Sequence, residues 1–258
     1  MALTEFNFKS SYNKIDHNIA EDFYLPCMRN AVQYDRITGY FGSAIYLIAW
    51  GALKEFVGNN GKMRILCSPF ISDEDAQALS DGNEAKTNIV IQRAMLEELE
   101  RMIASPYLEK PARLLACLIS NGTITIKLAI PNENAHPVVR QLFHDKVGIF
   151  SDEQGNKVGF RGSLNETFSG LSNSGNIESV DVFQSWDGGK EAERAIEAEY
   201  YFERVWAGLT GTTLLYELPQ AVRQRLGDMA KDVAWEELLG EIKEKIKKGD
   251  KWVAPAKD

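Results

Sequence analysis

Residues 143–165 read FHDKVGIFSDEQGNKVGFRGSLN. Two largely apolar segments, Phe143 to Phe150 and Lys157 to Arg161, flank the turn formers SDEQGN, so the stretch is expected to fold as a β-hairpin. On a strand, side chains two apart share a face. His144 and Lys146 are therefore expected to project together, with Asp145 opposite. An imidazole beside an ammonium suits a phosphate: the ring can attack phosphorus or move a proton, and the cation neutralises non-bridging oxygens. The second strand runs into Gly162-Ser163-Leu164-Asn165. There glycine permits close approach of the backbone to a ligand, and Ser163 and Asn165 bring polar groups to the start of the next segment. HxK alone describes an ordinary surface strand, and GSxN alone a turn with a cap. On either side of one hairpin they point together to a phosphodiester-cleaving site.

Working outward, Arg36 to Phe41 reads as a short strand. The 3.6-residue spacing of Ala44 to Val57 predicts a helix that Gly58-Asn59-Asn60-Gly61 stops. Lys62 to Cys67 is a compact apolar strand, and Ser72 caps an expected helix. Helices over Asn88 to Ala104 and Pro111 to Ile119 precede Thr123 to Ile130, which alternates cleanly as a strand. Alternation of strands and helices predicts a layered α/β unit. Beyond the hairpin, Glu178 to Trp186 is a further strand. Lys190 to Trp206 is a long amphipathic helix with Ala195, Ile196, Tyr200, Phe202 and Val205 as burial candidates. Leu214 to Gly227 and Val233 to Lys248 read as helices. A soft boundary near residue 210 therefore divides a main domain, 1–210, from a small helical extension or linker, 211–258.

The 258 residues are 44% hydrophobic and 26% charged, a globular composition able to bury a sizeable core. The net charge of −8 argues against a tight, non-specific DNA binder acting through its whole surface, though not against a local basic site. Cys27, Cys67 and Cys117 form no CxxC or Cys/His pairing, and no Asp/Glu or His cluster has ligand spacing, so neither metal nor other cofactor is expected. The odd cysteine count and the absence of an apolar leader or membrane-length run suggest a cytoplasmic protein without membrane partners.

FHDKVGIF followed by GSLNET resembles the HxK…GSxN signature of the phospholipase D superfamily, most closely its single-motif nuclease branch. The N-terminal text SSYNK…DFYLP…YDRITGYFGS resembles nuclease domains linked to DEAD/DEAH-box helicases, and the likeness spans roughly residues 8 to 208. The resemblance implies a mixed β-sheet flanked by helices on both faces. It implies metal-independent cleavage of DNA through a phosphohistidine on His144, with Lys146, Ser163 and Asn165 holding the phosphate. Asn176-Ile177-Glu178 is similar to the Asn-x-Glu of such nucleases, where Glu178 would orient the histidine ring; a carboxylate on one imidazole nitrogen leaves the other free to attack. One position departs: the superfamily's Asp five residues after the lysine is Ser151 here, with Asp152 one step later. Either Asp152 shifts into the role or this branch dispenses with it, and a turn carboxylate is usually solvated. Glu166 is a further carboxylate near the site, or only a first-turn helix acid.

His17 and His136 lack a lysine two residues on, so the chain has one complete HxK. Two-step chemistry needs two histidines, and single-motif relatives supply the second by dimerising. A homodimer with the site at its interface is therefore expected. Arg161, beside Gly162, and Tyr40, between Gly39 and Phe41, are substrate-contact candidates; Tyr40 and Phe41 could stack on a base or fill the core. Arg36 and Arg140 could also contact a phosphate backbone, but the default expectation for both is a solvated surface position. The resemblance implies a nuclease component of restriction or phage defence, with a helicase module or subunit as a possible partner. The lysine-rich KEKIKKGDKWVAPAKD resembles a lead into such a motor. Two rivals keep the same fold: a phospholipid phosphodiesterase, which needs an apolar entrance, and a non-catalytic dimerisation module, which the displaced Asp152 would suit.

Overall fold

A computed structural model describes residues 2–39, 41–42, 45–68, 84–132 and 143–247. The chain runs β1 (Ser11–Asn13), a π-helical turn (Ala20–Tyr24) leading into α1 (Leu25–Asn30), β2 (Gln33–Thr38), α2 (Tyr46–Gly58) and β3 (Lys62–Cys67). It continues through α3 (Glu84–Ala104), α4 (Glu109–Ser120), β4 (Ile124–Pro131), β5 (Val147–Ser151), β6 (Lys157–Gly162), the single turn α5 (Phe168–Leu171) and β7 (Ser179–Gln184). Last come α6 (Gly189–Trp206), β8 (Thr213–Glu217), α7 (Gln220–Ala230) and α8 (Trp235–Lys247).

The eight strands form one mixed sheet in the order β1-β7-β6-β5-β2-β3-β4-β8. β2, β3 and β4 are parallel neighbours, and every other pairing is antiparallel. Helices cover both faces, as the resemblance implied. On one face α6 packs Ala195, Ala198, Phe202 and Val205 against Ile37, Leu66, Ala129, Val147 and Ile149. On the other, α1, α2, α4, α7 and α8 share a larger core with Tyr34, Ile65, Phe150 and Phe160. Ile196 and Tyr200, expected among the buried residues of α6, are exposed. The sheet takes only the narrow stripe 195, 198, 202 and 205, and these two side chains fall outside it.

Residues beyond 210 lie in this same unit. β8 pairs with β4 as the sheet edge, with Leu128 opposite Tyr216. Val222, Leu226, Leu238, Leu239 and Ile242 join the larger core. The continuous helix expected over Leu214 to Gly227 is instead a strand and a helix, and the soft boundary at 210 falls inside one core. Pro219 is the reason: it stands immediately before α7 with φ −54°. A proline also disfavours helical backbone at the residue preceding it, here Leu218. The helix start expected at Ser72 lies outside the described residues.

The hairpin is present as β5 and β6, in register from Val147 opposite Arg161 to Ser151 opposite Lys157. Its turn is tied by Asp152, which is buried rather than solvated. Its carboxylate accepts from Leu3 N at 2.9 Å, Gln154 N at 3.0 Å, Asn156 N at 2.9 Å and Asn156 Nδ2 at 3.0 Å. Burial pushes this carboxyl up, but the bonds from Asn156, Leu3 and Gln154 outweigh it and hold the pKa below the usual value. A folded-state pKa below that of the unfolded chain, roughly 3.9 for aspartate, means the stabilisation is complete above that value. It is then lost as pH falls through the folded value. Asp152→Asn is expected to lower the melting temperature at neutral pH and to flatten its decline on acidification below about pH 5. Thermal melts across that range check this; parallel acid slopes for the two proteins would remove Asp152 as the cause.

Candidate active site

The parallel strands β2 and β3 end, β5 and β7 begin, and β6 finishes, at one end of the sheet. In open α/β sheets the crevice beyond the carboxyl ends of parallel strands is where ligands bind. At this end β2 passes into Gly39, whose carbonyl accepts from Ser68 N at 3.3 Å. A Cβ built on Gly39 would lie 3.0 Å from His144 Cδ2, 3.3 Å from Asn165 Oδ1 and 3.4 Å from Lys146 Nζ. Imidazole, ammonium and carboxamide thus converge on one small space, tight enough that an added Cβ would push on all three. HDK and GSLN, nineteen residues apart from His144 to Ser163 in the chain, are brought together as the hairpin predicted.

The local geometry differs from expectation in one respect. Residues 143–146 are not strand; β5 starts at Val147. His144 and Lys146 are brought together by folding of the segment, with Lys146 Nζ donating to His144 O at 2.8 Å. His144 is exposed while Lys146 is buried. Burial pushes the Lys146 pKa down and the nearby charge of Arg36 pushes it further, with Glu178 and Asp145 pulling the other way. Asp145 hydrogen-bonds Tyr201 of α6; burial first, then Asp145, raises that phenol to about 12. Asn165 Oδ1 accepts from Thr38 Oγ1 at 3.4 Å.

Glu178 immediately precedes β7 and is buried. Its charge acts on both Lys146 and Lys14. Lys14 N donates to Glu178 O at 3.0 Å, and Lys14 Nζ donates to Ser169 O at 3.1 Å and Ser172 O at 2.7 Å, fixing this corner to the turn around α5. Ser163 closes the ladder between β6 and β7: its N–H donates to Ser179 O at 3.0 Å and its Oγ accepts from Ser179 N at 3.1 Å. Gly162 serves the same approach. A Cβ there would overlap Ser179 O and sit 2.8 Å from Val180 Cα, so this glycine admits the β7 backbone rather than a ligand. Arg161 is exposed, its guanidinium 5.2 Å over the Tyr201 ring on the α6 side.

Three further expectations are settled by position. Arg36, expected at the surface, is wholly buried beneath the site. Asp152 closes the far end of the hairpin, six residues along the chain from Lys146, or roughly 20 Å at 3.3–3.4 Å per residue. Glu166, a carboxylate near the site on one reading and a first-turn acid on the other, precedes the α5 turn, is buried next to Asn165 and is paired with Arg36 at 2.9 Å. Phe41 packs against the core, 6.4 Å from Tyr46 in an edge arrangement. Tyr40, His136 and Arg140 lie outside the described residues.

Gly39 is the residue that motif reading passed over. Its only signal was a glycine ending a strand beside aromatics. No left-handed φ is required of it, so alanine suits the backbone and only the site objects. Gly39→Ala is expected to reduce turnover by about 10²-fold, the usual consequence of displacing reacting groups by an ångström or less, with the melting temperature nearly unchanged. Kinetics beside thermal denaturation check this, and wild-type turnover in the variant would refute the convergence.

No protein-family model matches the chain, and no curated protein sequence matches it. Among solved structures, a phospholipase D family member, Nuc from Salmonella typhimurium, aligns over 76% of this chain and 90% of its own, at 16% identity and a TM-score of 0.38. Phosphatidylserine synthase from Haemophilus influenzae Rd KW20 aligns over 89% of this chain at 11% identity and a TM-score of 0.44. The match spans 42% of that synthase's length.

Proposed function

We propose that the chain is a phosphodiesterase acting on DNA without a metal ion, through a phosphohistidine on His144. The observation that carries this is the convergence of His144, Lys146 Nζ and Asn165 on the space over Gly39. The imidazole attacks phosphorus in line, forming an N–P bond as the bond to the leaving oxygen breaks; Lys146 and Asn165 hold the non-bridging oxygens. Glu178, buried beside the lysines, is assigned to orienting the ring. Arg161 is the best exposed candidate for a backbone phosphate. The nuclease character, the defence role and a helicase partner follow from the sequence resemblance. Among the described residues no three His, Cys, Asp or Glu side chains are gathered to hold a metal, and no helix is long and apolar enough to cross a membrane. The test is incubation of plasmid and single-stranded DNA with the protein in EDTA. Cleavage supports the proposal, and activity that vanishes in EDTA and returns with magnesium contradicts it.

One HxK supplies one histidine, so a second must protonate the leaving oxygen and then activate water for hydrolysis of the N–P bond. The proposal assigns that role to His144 of a second copy across a two-fold axis. Light scattering is expected to give the mass of a dimer; a monomer at all usable concentrations would overturn this part.

The phospholipid reading is favoured by one observation. An apolar cavity of about 150 Å³ is lined by Phe41, two residues after Gly39 in the chain, with Cys67, Leu99, Leu115 and Leu128. Hydrolysis of phosphatidylcholine vesicles with plasmid left intact would select that reading.

A further inference from the structure

Beneath the converging groups lies a second set that the motifs do not contain. Arg36 is 0% exposed and Glu166 2%. Arg36 Nε donates to Glu166 Oε2 at 2.9 Å, and its Nη2 donates to Leu164 O. Tyr34 donates to the same Oε2 at 2.9 Å and Tyr24 to Oε1. The Glu166 N–H donates to Thr38 Oγ1 at 3.1 Å, and Glu166 O accepts from Gly42 N at 2.9 Å. Leu164 and Glu166 are the two neighbours of Asn165. One guanidinium from β2 therefore grips the chain on both sides of Asn165, while Thr38, two residues along the same strand, touches its side chain.

We propose that Arg36 and Glu166 form a positioning clamp that sets Asn165 against Lys146 and His144. Its chemical consequence rests on the phosphodiesterase reading; its geometry does not. Stability alone is a poor reason for the pair, because well-packed apolar residues of similar volume commonly do as well or better than a buried ion pair. Arg36 also keeps a buried nitrogen, Nη1, without a hydrogen-bond partner among the described residues. An unmet buried donor and a second cation near the buried Lys146 are both costs to the fold. Both features make sense if the arginine is retained for its fork, which spans a carboxylate and a carbonyl that no other cationic side chain holds together.

Two variants test the clamp. Arg36→Met/Glu166→Leu removes both charges at once and leaves no lone buried ion. Arg36→Lys keeps the charge but loses the fork. The readouts are a crystal structure of each and kcat and KM on bis(p-nitrophenyl) phosphate in EDTA. In both variants Asn165 is expected to leave its contact with Thr38. For both, kcat is expected to fall about 10²-fold with KM little moved, as for an interaction made in the transition state. Asn165 unmoved in the double variant, or wild-type kcat in Arg36→Lys, would overturn the clamp. If the wild type does not turn over this diester, the phosphodiesterase reading suffers, and the position of Asn165 in the crystals still decides the clamp.

Discussion

His144→Ala is expected to abolish EDTA-resistant DNA cleavage, a loss of at least about 10³-fold, equivalent to roughly 4 kcal/mol of transition-state stabilisation. The size follows from its double duty in the proposed dimer. One substitution removes the attacking nitrogen from one copy and the proton donor from the other. The melting temperature should scarcely change, because His144 is exposed and lies outside the β5 ladder. This separation makes His144 a cleaner test than Lys146, which is buried and bonded to the His144 carbonyl. Removing Lys146 would shift the histidine as well as delete the charge. Gel assays of plasmid and single-stranded DNA with matched protein concentrations give the measurement. Equal cleavage by wild type and variant would sink the central proposal.

The hairpin and its two motifs were legible because each rests on local chemistry: strand alternation, turn formers, and two short polar signatures in fixed order. What escaped depends on partners distant in sequence. Arg36 was expected at the surface because an isolated arginine is costly to bury; Glu166 and Leu164 O, about 130 residues away, make its burial tolerable. Asp152 was expected in water because turn carboxylates usually are, but the distant N-terminal segment folds back onto it through Leu3 N. Gly162 and Gly39 show the same limit in opposite directions. Both are glycines near polar groups. The one inside the motif makes room for a strand, and the one outside it makes room for the site. Residues 143–146 were expected as strand because Phe143 and Val147 prolong the apolar pattern, whereas the fold ends the ladder where the functional side chains begin.

Glu166→Leu is expected to be among the most destabilising single substitutions in the described chain, at about 3–5 kcal/mol. For a protein of this size that is a fall of roughly 6–20 °C in melting temperature. Leucine fills most of the space, so lost packing is not the cause. The cost is electrostatic: the guanidinium of Arg36, 0% exposed, loses its counter-ion with no route to water. Tyr24 and Tyr34 lose their carboxylate acceptor in the same step. Removing the arginine as well should recover much of the loss, because Arg36→Met/Glu166→Leu leaves no unpaired charge. The two effects are therefore expected to be strongly non-additive, with the double variant more stable than Glu166→Leu alone. Calorimetry of wild type, both single variants and the double variant gives the coupling directly. A Glu166→Leu protein melting within about 2 °C of wild type would mean that Arg36 does not depend on this carboxylate. Strong coupling accompanied by undisturbed Asn165 would instead assign the pair to the fold alone, so stability and position must be measured on the same proteins.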